Sequence, residues 1–162
     1  MKKDKFLTIY AVLDPVCQEI LTQIQNQILK QYNGTQTMGI PFHISLGSFP
    51  LEKKDMLIKQ MDKFAEEESF SLELNELDHF NYQVIFAKPI VNEALINLHN
   101  FFEGNYADGF PWHPHVTLYC GKEEDGKEIL KEYTLDRLEA KIVGIELGEF
   151  FPTHIIKTIH FK

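Results

Sequence analysis

Hydrophobic and polar positions along this chain change period several times, each change marked by a breaker. "FLTIYAVL" at 6–13 has the branched and aromatic content of a strand, and Asp14-Pro15 stops it. From about 16 to 32 the period becomes helical, with Ile20, Leu21, Ile24 and Ile28 on one stripe, until Asn33-Gly34 ends the run. A strand is expected over 41–49, a charged helix over about 52–68, and an alternating strand at "FSLELNEL", 70–77. "YQVIFAKP" at 82–89 then opens a second round as a strand closed by Pro89. Ala94, Leu95, Leu98 and Phe102 form a helical stripe broken by Gly104, a strand follows at 114–121, "EDGKEILKEY" reads as helix, and "AKIVGIEL" reads as strand.

The same order of elements thus runs twice. Shifting the chain on itself by 74 residues places Pro15 on Pro89, Glu19 on Glu93, Leu21 on Leu95 and Ile24 on Leu98. Further on, an offset of 70 places "LDHF" (77–80) on "LGEF" (147–150), as loop insertions would produce. Solenoids need three or more short repeats, so two related lobes are the expectation. The chain is read as one domain, 1–162, whose pseudo-symmetric lobes span approximately 1–80 and 81–162, with room for strands to exchange between them.

One short pattern stands out within this layout. "FHISLGSF" contains His43, Ser45 and Leu46; "PHVTLYCG" contains His115, Thr117 and Leu118. With seven His in the chain and 12 Ser or Thr, His-x-Ser/Thr alone is cheap. Requiring an apolar middle residue and a following Leu lowers the expectation to roughly 0.02 per chain, so two occurrences call for a cause. Side chains alternate faces along a strand, so His43 and Ser45 share one face while Ile44 and Leu46 anchor the other, and His115 and Thr117 stand likewise against Val116 and Leu118.

If the two motif strands lie side by side, two imidazoles and two hydroxyls converge. That set suits phosphodiester chemistry. One neutral imidazole can take a proton from an attacking water or hydroxyl, one imidazolium can protonate the leaving oxygen, and both titrate near neutral pH. Ser45 and Thr117 can donate hydrogen bonds to the non-bridging oxygens as their charge redistributes. The bland alternative is that each His-x-Ser/Thr pair merely hydrogen-bonds within a sheet.

Paired motifs of this form on a duplicated chain of this length resemble the two-histidine (2H) phosphoesterase superfamily, which includes 2′-5′ RNA ligase-like proteins and cyclic phosphodiesterases. "PHVTL" is close to the family's second motif, and "FHISLGSF" matches the first with Ser in place of the commoner Thr. The resemblance implies a bilobal α+β fold, with two antiparallel-rich sheets flanked by helices around a central cleft. It implies hydrolysis of a 2′,3′-cyclic phosphate or a related cyclic or 2′-5′ phosphodiester, without metal or other cofactor. His43 and His115 carry over as catalytic residues, and Ser45 and Thr117 as phosphate binders. Some members carry a basic residue soon after the second motif; here Tyr119 and Cys120 follow, and the next cation is Lys122.

Composition narrows the partners. The net charge of −8, with only 16 Lys and Arg, disfavours binding extended nucleic acid, which depends on many phosphate contacts. A small cyclic nucleotide or an RNA terminus remains the expected partner, bound by a monomer. The apolar run at the N-terminus is only eight residues long and lacks a small-residue cleavage site, and no uncharged stretch approaches the roughly 20 residues of a membrane helix. Two cysteines without ligand spacing, Cys17 and Cys120, read as buried thiols of a cytoplasmic protein.

Of the other candidates, His113 could join His115 in chelating Zn²⁺, but no further ligand spacing supports it. A solvated loop position, or one supporting His115, is expected instead. Phe110, Trp112 and Tyr119 are candidates for base stacking at the rim of the cleft, with core packing the commoner role for Trp and Phe. His79, His99, His154 and His160 lack the motif frame and are expected at the surface or satisfied in the core. A catalytically idle nucleotide or RNA-end binder of the same fold is the alternative function.

Overall fold

In a computed structural model, which describes residues 4–35, 39–104 and 110–162, strand β1 (Phe6–Leu13) ends where Asp14 caps helix α1 (Pro15–Gln31). Pro15 suits the first helical turn, where its missing N–H would have no partner anyway. One Asp14 carboxylate oxygen accepts from the Cys17 N–H and the other from the Lys141 N–H at 2.8 Å. The cap therefore also ties the helix to a strand far along the chain.

There follow β2 (Gly34–Thr35), the first motif strand β3 (His43–Phe49), helix α2 (Lys54–Met61), β4 (Phe70–Phe80) and β5 (Val84–Ile90). The second round continues with α3 (Glu93–Phe102), the second motif strand β6 (Val116–Gly121), α4 (Glu123–Glu132), β7 (Leu138–Phe150) and β8 (His154–His160). The charged helix is shorter than its pattern suggested, with 3₁₀ turns at Leu51–Lys53 and Asp62–Phe64 on either side. Only Leu57 and Met61 of α2 are buried, so packing secures little more than two turns. Strand β4 runs on to Phe80 and turns to β5 through residues 81–83, with Asn81 and Tyr82 both at positive φ and the Gln83 N–H donating to the Phe80 carbonyl at 3.0 Å.

All strand pairs are antiparallel, in the order β2-β6-β5-β4-β7-β1-β3, with β8 also on β7. The order is symmetric about the junction at which Phe70–Leu74 pairs with Leu138–Ile142. On one side β4 completes a set with β5 and β6; on the other β7 completes a set with β1 and β3. The two antiparallel sets expected from the sequence are thus hydrogen-bonded into one path at this seam.

The helices cover one face. Leu7, Ile9, Ala11 and Leu13 of β1, Ile44 and Leu46 of β3, Val116 and Leu118 of β6 and Ile142, Ile145 and Leu147 of β7 share a buried cluster with side chains of α1, α2 and α3. Truncating one such Leu to Ala costs about 2–5 kcal/mol through lost transfer energy and the cavity left. The other face of β1 and β3 carries Tyr10, His43 and Ser45. Although β3 and β6 lie toward opposite ends of the path, the fold brings their Cα atoms within 8 Å. Among the described residues, no helix is long and apolar enough to cross a membrane.

Candidate active site

The motif strands share a departure from regular pairing. In β3, Gly47 lies across from Ile9 and Ser45 across from Tyr10, so Leu46 is an extra residue with no partner on β1. In β6, Tyr119 lies across from Ile85 and Thr117 across from Phe86, so Leu118 is extra in the same way. Such bulges bend a strand and re-aim the side chains beside them. The leucine of each motif is therefore where the local direction of the strand is set.

Each motif histidine is held by the same local bond. The His43 Nδ1–H donates to the Pro41 carbonyl at 2.8 Å, and the His115 Nδ1–H donates to the His113 carbonyl at 2.7 Å. A carbonyl can only accept, so both rings carry a hydrogen on Nδ1 and leave Nε2 as the titrating atom. Both imidazoles are thereby held by the same nitrogen to the carbonyl two residues back.

Their surroundings differ. The His43 ring, only 8% exposed, lies 4.9 Å from the Tyr10 ring, whose hydroxyl donates to Glu146 Oε1 at 3.1 Å. Thr158 donates to the other oxygen of Glu146 at 2.7 Å. His115 instead meets Phe80 at 4.9 Å and Phe86 at 5.3 Å, both edge to face. Burial pushes the His43 imidazole down to about 4, the bond to Pro41 opposes this, and the charge of His115 lowers it further. Burial also lowers His115, against the bond to the His113 carbonyl. The charge of His115 thus disfavours protonation of His43, and the charge of His113 disfavours that of His115.

Ser45 and Thr117 occupy the strand positions across from Tyr10 and Phe86, on the same faces as their histidines, and both are half-buried. The three aromatic candidates fare differently. Phe110 is 64% exposed. Trp112 is half-buried, with one face stacked on His99 at 3.8 Å and its Nε1–H donating to the Ser45 carbonyl at 2.8 Å, so it braces the motif strand. Tyr119 is not at a rim: it is 0% exposed, among Ile28, Ile85 and Ile129, with its hydroxyl on the Asn33 carbonyl. Simple alternation would place Tyr119 beside Thr117, and the extra residue Leu118 turns it into the core.

His113 packs edge-on against Phe80 and Phe86. Among the described residues, no group of three or more His, Cys, Asp or Glu is disposed to hold a metal ion. Both cysteines are free; burial and then the Asp14 charge push the Cys17 thiol up to about 12, and burial raises Cys120. Neither supplies a thiolate near neutral pH. Tyr10, Phe80 and Phe86 were not singled out from the sequence. Tyr10 and Phe86 stand across from Ser45 and Thr117, which becomes readable once the bulges are known, whereas Phe80 lies one strand further away, on β4.

The structure is similar to several solved ones. TT0787 of Thermus thermophilus aligns with a TM-score of 0.69 at 15% identity, covering 96% of this chain and 97% of that one. E. coli LigT complexed with NADP+ aligns with a TM-score of 0.66 at 18% identity, covering 98% and 99%. A structure described as a phosphoesterase aligns with a TM-score of 0.66 at 17% identity, covering 99% of each chain. No curated protein matches the chain in sequence. The model of the 2′-5′ RNA ligase superfamily matches residues 12–149. With that match over most of its length and a LigT-like α+β fold around paired His-x-Ser/Thr strands, the chain belongs to the 2′-5′ RNA ligase superfamily of 2H phosphoesterases.

Proposed function

We propose that the protein is a metal-independent phosphodiesterase that opens a 2′,3′-cyclic phosphate, or a related cyclic or 2′-5′ phosphodiester, on a small nucleotide or an RNA end. The observation that carries this reading is the matched pair of imidazoles. His43 and His115 are each fixed through Nδ1–H to the carbonyl two residues back, on motif strands brought close together, with the charge of one acting on the other. Hydrolysis needs two proton transfers in one event. A base takes a proton from water as its oxygen attacks phosphorus, and an acid gives one to the ribose oxygen that leaves, yielding a phosphomonoester.

The more deeply buried His43, pushed down to about 4, is assigned as the base, and His115, which burial also lowers, as the acid in the fraction of molecules where it is protonated. Ser45 and Thr117 donate to the non-bridging oxygens, which gain and redistribute charge in the transition state. The cleft lies between two lobes related by the repeat, each completed by a strand of the other half, and the protein acts as a monomer. The NADP+ held by E. coli LigT supports a site of nucleotide size on this fold.

The test is a panel of 2′,3′-cyclic mononucleotides, cyclic-ended oligonucleotides and ADP-ribose 1″,2″-cyclic phosphate, assayed with and without EDTA. Turnover of at least one substrate, undiminished by EDTA, is expected. Binding without turnover would instead favour an idle nucleotide or RNA-end binder, and loss on chelation restored by Zn²⁺ would favour metal chemistry at His113 and His115.

A further inference from the structure

The extra residue of each bulge leaves the strand ladder, and in each case a helix of the opposite half of the chain takes up its carbonyl. Gln25 of α1 donates through Nε2 to the Leu118 carbonyl of β6 at 2.7 Å. His99 of α3 donates through Nδ1 to the Leu46 carbonyl of β3 at 2.6 Å. The two donors are 74 residues apart, the offset that also superposes Pro15 on Pro89 and Ile24 on Leu98. They are equivalent positions of the repeat, doing one job with different chemistry.

Each sits where a polar side chain is costly unless bonded. Gln25 is 5% exposed, within the buried stripe of Cys17, Leu21 and Ile28. His99 lies flat on Trp112, with an angle of 6° between the rings, and Trp112 bonds the next carbonyl of the same strand, that of Ser45. The helices also end alike. A Cβ on Gly34, after α1, would come within 2.2 Å of the Tyr119 ring, and one on Gly104, after α3, within 2.6 Å of the Gly47 Cα, so each helix exit presses on the strand that its helix braces.

Resting on the function proposed above, we infer that Gln25 and His99 are positioning residues for catalysis: Gln25 holds the Leu118 bulge that aims His115 and Thr117, and His99 holds the Leu46 bulge that aims His43 and Ser45. The helix of one half thereby sets the catalytic geometry of the other. A loosened bulge displaces the imidazole of its own motif, and displacements of about 1 Å are enough to cost on the order of a hundredfold in rate.

The test uses the full chain with two donor deletions, Gln25→Met and His99→Phe, the second keeping a ring against Trp112, and two exchanges, Gln25→His and His99→Gln. Imidazole nitrogen resonances and the kinetics of 2′,3′-cyclic AMP hydrolysis are read for each. Gln25→Met should move the His115 resonances and leave those of His43, and His99→Phe should do the reverse. Each deletion should lower kcat about ten- to a hundredfold with KM within about threefold, and His99→Gln should recover kcat to within about threefold of wild type. If either deletion leaves its motif histidine unmoved and kcat unchanged, or if both deletions shift both histidines equally, the inference is wrong. Should a deletion fail to fold, the His99→Gln exchange still decides: a folded exchange with displaced His43 resonances overturns it. Should the wild type show no turnover, the resonances alone decide, and only the proposed function falls.

Discussion

The two motif strands differ most in what surrounds their histidines and least in how the backbone holds them. In both, an extra leucine bends the strand and the carbonyl two residues before the histidine fixes Nδ1–H. Beside His43, however, stands a buried phenol bonded to a carboxylate, whereas His115 is walled by two phenylalanines and by His113. Catalysis by two like groups requires them to act in opposite protonation states. Matching surroundings would give two equal imidazoles; under the mechanism proposed above, the unlike surroundings would separate acid from base.

The comparison breaks most severely when either ring is removed. His43→Ala and His115→Ala should each lower kcat by roughly 10²- to 10⁴-fold, the usual contribution of one general acid or base, as steady-state hydrolysis of a 2′,3′-cyclic nucleotide would show. Near-normal rates in either variant would place the chemistry elsewhere. Ser45→Ala and Thr117→Ala should cost less, about ten- to a hundredfold, with most of the loss in kcat because the hydrogen bonds strengthen in the transition state. A loss confined to KM would make the hydroxyls simple substrate binders.

Tyr10→Phe sharpens the contrast, because it makes the surroundings of His43 resemble those of His115. The Tyr10 hydroxyl is held well above its usual titration range by burial and by Glu146, so it remains a donor to that carboxylate at any working pH. Its removal leaves Thr158 bonded to Glu146 and should cost about 1–3 kcal/mol of stability, with a rate change of less than about tenfold. Chemical denaturation and kinetics on the same sample separate the two. A collapse in rate at unchanged stability would make Tyr10 part of the catalytic set.

Stability against pH carries the last contrast. His43 binds its proton near 4 in the folded chain and near the ordinary value, about 6.5, when unfolded. Between those values the unfolded chain holds more protons, so this group's contribution to stability falls as pH drops through the window and is complete above it. Urea melts of wild type and His43→Gln should show a shallower slope over that range in the variant. Equal slopes would mean that His43 is not held neutral by burial.

Much of this was legible in the chain. Strand β1 matches its eight-residue pattern, and the four polar motif residues were readable because each pair lies within three consecutive residues, where strand alternation suffices. Tyr119 was misplaced for an instructive reason. One extra residue reverses the faces of everything beyond it, and nothing in "HVTLYCG" announces that Leu118 is extra. Gln25 had a visible but ambiguous signal, as a polar residue inside an apolar helical stripe. His99 had one too, at the repeat offset from Gln25, but neither meant anything until Leu46 and Leu118 were seen to leave the ladder.

The division of labour between the histidines is the central claim, and the pH dependence of kcat/KM in EDTA tests it most directly. His43 must be neutral and His115 protonated, and burial lowers both, so the profile should be a bell whose alkaline limb lies below the ordinary histidine value of about 6.5 and whose acid limb lies near 4. Residual activity of His43→Ala should lack the acid limb, and that of His115→Ala the alkaline limb. A profile flat between pH 4 and 8, or single mutants that retain both limbs, would contradict the account.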